Sequence, residues 1–134
     1  MAVRYLLDTN TVSYLIKGNF PRVREHLLRT AMSEVAISAV TEAELRFGVE
    51  RRPEARELKL AVDEFLVRIE LQPWDSEAAK QYATLRATLE RDGRSMGNLD
   101  MMIAAQALAQ KLILVTHDQV FSRVKKLRVE DWTV

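Results

Sequence analysis

Short apolar runs alternate along this chain with longer stretches in which apolar residues recur every three or four positions. Residues 3–7 read as a short buried strand, and Val12–Lys17 as a helix entered through Asp8, Thr9 and Asn10, all good N-capping types. Pro21 opens a second helical pattern carrying Val23, Leu27 and Leu28. "VAISAV", residues 35–40, has the compact apolar look of a buried strand, and Thr41 then starts the helix "TEAELRFGV". From Pro53 a longer helix is predicted, with Leu58, Ala61, Val62, Phe65 and Leu66 on one face.

"IELQPW" reads as a short extended segment. Asp75 or Ser76 then caps a helix that turns Ala78, Tyr82, Leu85 and Leu89 inward and is closed by Gly93. A further helix runs from about Asp100 to Gln110, "LILVTHD" (112–118) is a strand ending in polar residues, and "RVEDW" adds a last strand. Apolar strands alternating with amphipathic helices predict an α/β fold, a mainly parallel sheet covered on both faces with right-handed crossovers. With no repeat and no linker, residues 1–134 are expected to form a single domain.

The polar residues that end the strands are acids. Asp8 follows the first strand, Glu42 and Glu44 the second, and Asp118 the "LILV" strand; Asp100 opens its helix after "GRSMGNL". In a parallel sheet the carboxyl ends of the strands lie on one edge, where ligands bind at the point at which strand order reverses. Each acid also has a purely structural reading. Asp8 could cap a helix, Glu44 stands three after Thr41 as in a capping box, Glu42 and Asp100 could offset a helix dipole, and Asp118 could belong to a turn. Convergence favours chemistry: carboxylates sharing a cleft repel one another unless a cation neutralises them, and Mg²⁺ or Mn²⁺ suits an all-oxygen set. Such a centre activates water and binds phosphate oxygens, which is nuclease chemistry.

Composition removes other options. The chain has no cysteine, which excludes disulfides, thiolate zinc and cysteine nucleophiles and agrees with a reducing cytoplasm. No apolar run approaches a membrane span, so a cytoplasmic protein without a membrane partner is expected. Net charge is only +1, from 20 basic and 19 acidic residues, so global charge predicts no nucleic-acid coating. The basic residues are instead grouped, at Arg46, Arg51, Arg52, Arg56 and Lys59, at Arg86, Arg91 and Arg94, and in "SRVKKLR".

The segments "LLDTN", "ISAVTEAELRFGV", "GRSMGNLDMMIAAQAL" and "LILVTHDQVF", in this order over Tyr5 to Trp132, resemble the PIN domain family, in particular the VapC-type toxins of bacterial toxin–antitoxin pairs. By that resemblance Asp8 matches the first metal-binding acid and Asn10 the polar residue that braces it. Glu44 matches the acid of the "TxxEL" segment, Asp100 the acid before "IAA", and Asp118 the fourth acidic position, with Thr116 as its hydrogen-bonding neighbour. The position of Glu42 is commonly variable, so Glu42 is expected to face outward. Arg86 and Arg94 fall on positions often basic in relatives, which implies RNA contact or support of the site.

The resemblance further implies a three-layer α/β/α sandwich and an Mg²⁺- or Mn²⁺-dependent endoribonuclease cutting tRNA or rRNA. It also implies a homodimer, silenced in a hetero-oligomer with a VapB-type antitoxin. Two rivals stand beside it. A haloacid-dehalogenase-type phosphatase also places an aspartate after its first strand, but needs a second acid where this chain has Asn10. A PIN-like binding module without catalysis would have no use for an intact acid set.

Overall fold

The structure, a computed structural model, describes residues 2–134. In chain order its elements are β1 (Tyr5–Leu7), α1 (Thr9–Lys17), α2 (Pro21–Leu28), β2 (Val35–Ser38), α3 (Ala39–Glu50), α4 (Arg56–Arg68), β3 (Glu70–Gln72), α5 (Ser76–Arg91), α6 (Asn98–Gln110), β4 (Ile113–Val115) and β5 (Val129–Glu130), with 3-10 turns at Met32–Glu34 and Gln119–Arg123. All neighbouring strands pair parallel, in the order β3-β2-β1-β4-β5. Among the described residues no helix is long and apolar enough to cross a membrane.

Strand alternation explains why both faces are covered. Successive side chains of a strand point to opposite faces, and here both are apolar. Leu6, Ala36 and Leu114 join one core with Leu85, Leu89, Ile103, Ala104 and Phe121, beneath α5 and α6. Leu7, Val35, Ile37 and Val115 join the other with Val12, Val23, Val62, Leu66 and Trp132, beneath α1, α2 and α4. The result is the expected α/β/α sandwich about a parallel sheet.

Two helix starts differ from the sequence expectation. The apolar run "VAISAV" ends as a strand at Ser38, because the Ser38 hydroxyl accepts a hydrogen bond from the Val40 amide (2.9 Å) and caps α3 from Ala39 onward. Thr41 is therefore buried inside the first turn, and no Thr41–Glu44 capping box forms. Pro53 sits in a turn, and α4 begins three residues later, at Arg56.

Leu6 lies in the central strand with no exposed surface. Leu6→Ala is expected to lower unfolding stability by about 2–5 kcal/mol, read from urea melts as a shifted midpoint with an unchanged slope.

Candidate active site

Strand order reverses at β1, with β2 and β3 on one side and β4 and β5 on the other. Ligand crevices form at the carboxyl ends of such a pair of strands. Asp8 leaves β1 there and Thr116 leaves β4. Asp8 is buried, only 4% exposed, and both carboxylate oxygens are engaged. Oδ1 accepts from the Thr11 amide (2.8 Å), capping α1, and Oδ2 accepts from the Thr116 hydroxyl (2.5 Å). The Asp8 amide donates to the Val115 carbonyl (3.0 Å), and the Thr11 hydroxyl reaches the same carbonyl (3.2 Å). Burial raises the Asp8 pKa, hydrogen bonds from Thr116 and Thr11 pull it down, and the charge of Asp118 adds to the rise.

The other acids arrive from three further elements. Glu44 is on α3, Asp100 lies in the first turn of α6, and Asp118 caps the 3-10 turn after β4 by accepting from the Val120 amide (2.9 Å). Its own amide donates to the Thr116 hydroxyl (3.0 Å), so Thr116 ties Asp8 to Asp118. Asp100 is half-buried, and among the described residues its carboxylate takes no hydrogen bond. Its pKa is raised first by burial, then by the charges of Asp118, Glu44 and Asp8. The four acids thus share one electrostatic field at one edge.

Among the described residues, no three acidic or histidine side chains close around a single point as a finished cation cage. Mutual repulsion opposes that closure, and a divalent cation would relieve it. An oxygen-only donor set with raised proton affinity at Asp8 and Asp100 fits a hard divalent ion.

Glu44 is steered by a residue that the sequence offered only as a helix-capping type. The Thr9 hydroxyl donates to Glu44 Oε1 (2.5 Å) and lies 3.1 Å from the Thr41 hydroxyl. The only signal was its place beside Asp8, since the contact spans 35 positions. Asn10 is exposed and lines the neighbouring groove. Glu42 is half-buried and pairs with Arg46 (2.9 Å), and its charge is not among those that act on Asp100. Arg86, on α5, is held by Glu90 (3.1 Å) and the Tyr82 hydroxyl (3.0 Å), Arg94 is exposed in the loop after α5, and neither lines the groove. His117 turns its Nδ1 toward Asp131 (2.8 Å).

The PIN domain sequence pattern matches residues 5–127. The chain belongs to the PIN domain family. This PIN domain is 36% identical to the tRNA(fMet)-specific endonuclease VapC of Shigella flexneri, over 98% of this chain and 99% of that one. It is 38% identical to the protein of the same name from Salmonella typhimurium, over 97% of this chain and 98% of that one. A crystal structure of VapBC2 from Rickettsia felis, bound to a DNA fragment from the promoter, superposes with a TM-score of 0.90 at 32% identity, covering 97% of this chain and 99% of that one.

Beside the acids the PIN domain opens a groove of about 930 Å³ between α1 and α3. Asn10, Tyr14 and Lys17 line one wall and Glu44, Phe47 and Arg51 the other. Trp74 borders it, fixed by its indole N–H donating to the Met102 carbonyl (2.9 Å).

Asp8 and Asp100 bind their protons more tightly in the folded protein than in the unfolded chain. Folding therefore takes up protons, and the stability contribution of both groups falls as pH rises from the ordinary aspartate value of 3.8 through the raised values. In chelator-treated protein, Asp100→Asn is expected to raise Tm at pH 7 by about 2–5 °C and by much less near pH 4. Calorimetry at the two pH values checks this; an equal shift at both would mean that Asp100 carries no such penalty.

Proposed function

We propose that this PIN domain is the toxin endoribonuclease of a VapBC-type pair, with Asp8, Glu44, Asp100 and Asp118 as its divalent-cation ligands. The observation that carries this reading is the shared field of these four carboxylates at the carboxyl edge beside the β1/β4 switch point. Relatives bearing the VapC name at more than a third identity over nearly the whole chain support it.

Magnesium or manganese held there would supply a Lewis acid for the phosphoryl oxygens and lower the pKa of water for attack at phosphorus. The chain's part is to hold anionic oxygens where that chemistry needs them. Asp8 cannot turn, because one oxygen is fixed by Thr11 and the other by Thr116. Thr116 also draws the Asp118 turn inward, and Thr9 aims Glu44. Asp100, free of protein donors, is the carboxylate best able to meet a ligand or move a proton. Asn10 supports the edge from the groove side. Arg86 and Arg94, outside the groove, would touch more distant parts of a structured RNA such as tRNA or rRNA.

A VapB-type antitoxin is the partner, silencing a homodimeric toxin in a hetero-oligomer by covering this edge with a segment whose basic side chain meets the acids. That interaction suits the site, since a cation anywhere among the four carboxylates relieves their repulsion.

Purified protein incubated with total RNA tests the reading. Asp8→Asn or Asp100→Asn is expected to lower cleavage at least about a hundredfold, as is chelator, with manganese or magnesium restoring activity. Cleavage that survives chelator and both substitutions would overturn it. Thr9→Val is expected to reduce kcat about tenfold while Thr9→Ser keeps it, because only the hydroxyl orients Glu44; equal loss in both would make Thr9 a packing residue.

A further inference from the structure

We propose that the groove between α1 and α3 is a subsite for the RNA strand flanking the scissile phosphate, with Phe47 as a platform for a base and Lys17, Arg51 and Arg52 as a clamp on phosphates. It rests on the ribonuclease reading and adds to it a place for the substrate's neighbouring nucleotides.

Helix periodicity carries the inference. Glu44, Phe47, Gly48 and Arg51 stand three, four and seven apart, share one face of α3, and all line the groove. Asn10, Tyr14 and Lys17 repeat the pattern on α1. Among an otherwise largely apolar lining that includes Val40, Leu45, Leu58 and Val62, these residues run on each helix from polar or acidic at the catalytic end through an aromatic ring to a cation at the far end. Seven helical residues advance about 10 Å, the rise of about three stacked nucleotides.

The side chains match that ligand. Phe47 is 62% exposed, and the Arg51 guanidinium lies 5.5 Å from its ring centroid. An open ring beside a guanidinium is the pairing on which single-stranded bases stack. At Gly48 a side chain would meet nothing within 4 Å, so packing does not require the glycine, and its absent side chain widens the wall.

What sets these three cations apart is their place on the groove, where no acid among the described residues engages them. Arg46, Lys59, Arg68 and Arg86 each have an acid one helical turn away. Among the described residues Lys17, Arg51 and Arg52 are in no ion pair. Unpaired cations leading away from an acidic, cation-seeking site suit a polyanion whose scissile phosphate lies at one end and whose next phosphates lie at the other.

Binding of a fluorescein-labelled single-stranded RNA dodecamer to the full-length Asp100→Asn protein, with magnesium and rising KCl, tests this by anisotropy. Combining Arg51→Ala with Arg52→Ala is expected to reduce the slope of log affinity against log salt by about 1.4, about 0.7 per lost phosphate contact. Phe47→Ala is expected to weaken binding about five- to hundredfold with the slope unchanged. Arg68→Ala, paired with Glu64 on α4, should change neither. Unaltered thermal melts confirm that the exposed substitutions leave the fold intact.

Groove variants that bind the RNA with parental affinity and slope would overturn the subsite, whether or not they lose a protein partner. The nuclease reading fails separately, on absent cleavage by the unsubstituted protein, and the salt slope would still report on the groove.

Discussion

The carboxylate of Asp8 has to do three things in one place, and the geometry of the functional edge follows from how it does them. One oxygen caps α1, the other takes the Thr116 hydroxyl from the end of β4, and the whole group is buried between the two strands. Through these two hydrogen bonds this one side chain fixes the direction in which α1 leaves the sheet and ties the ends of β1 and β4 together at the switch point. Because α1 forms one wall of the groove, the same contact sets where Asn10, Tyr14 and Lys17 stand. It also fixes how Thr9 meets Glu44, since Thr9 is the first residue of the capped helix.

That arrangement conflicts with the stability of the isolated chain. Asp8 holds its carboxylate where burial disfavours charge, and Asp100 feels the charges of three further carboxylates while, among the described residues, it takes no hydrogen bond. Hydrogen bonds from Thr11 and Thr116 soften the first penalty, and among the described residues no hydrogen bond or ion pair softens the second. An acidic edge of this kind is stabilised by whatever positive group comes to it, a divalent cation, or the basic side chain of an inhibitory partner. On the proposed reading the same feature would underlie both catalysis and its control, because a divalent cation and a basic side chain of the partner would answer the same repulsion.

Much of this was legible before any coordinates. The strands β1, β2 and β4 are short apolar runs because both sheet faces are buried, and an acid after such a run necessarily lies on the carboxyl edge. Asp8 and Asp118 could be placed there on that ground and Asp100 through the helix it opens, whereas Glu42 and Glu44 stood side by side until the family resemblance separated them. What escaped depended on tertiary proximity or on competing local signals. Thr41 followed by Glu44 imitates a capping box, and only the structure shows that Ser38 has already capped α3, which frees Glu44 for Thr9. Arg51 and Arg52 read in sequence as part of a basic group and Phe47 as one residue of a helix; that they share a groove with Tyr14 and Lys17 depends on α1 and α3 standing side by side.

The central claim is that carboxylates from β1, α3, α6 and the β4 turn act as one cation-binding group. Manganese titration followed by electron paramagnetic resonance measures this without reference to any RNA. Binding in the micromolar-to-millimolar range that is lost in Asp8→Asn and in Asp100→Asn, yet unchanged in Glu42→Gln, whose parent side chain is paired with Arg46, is the expected result. Manganese binding that is absent from the unsubstituted protein, or indifferent to both aspartate substitutions, would contradict it.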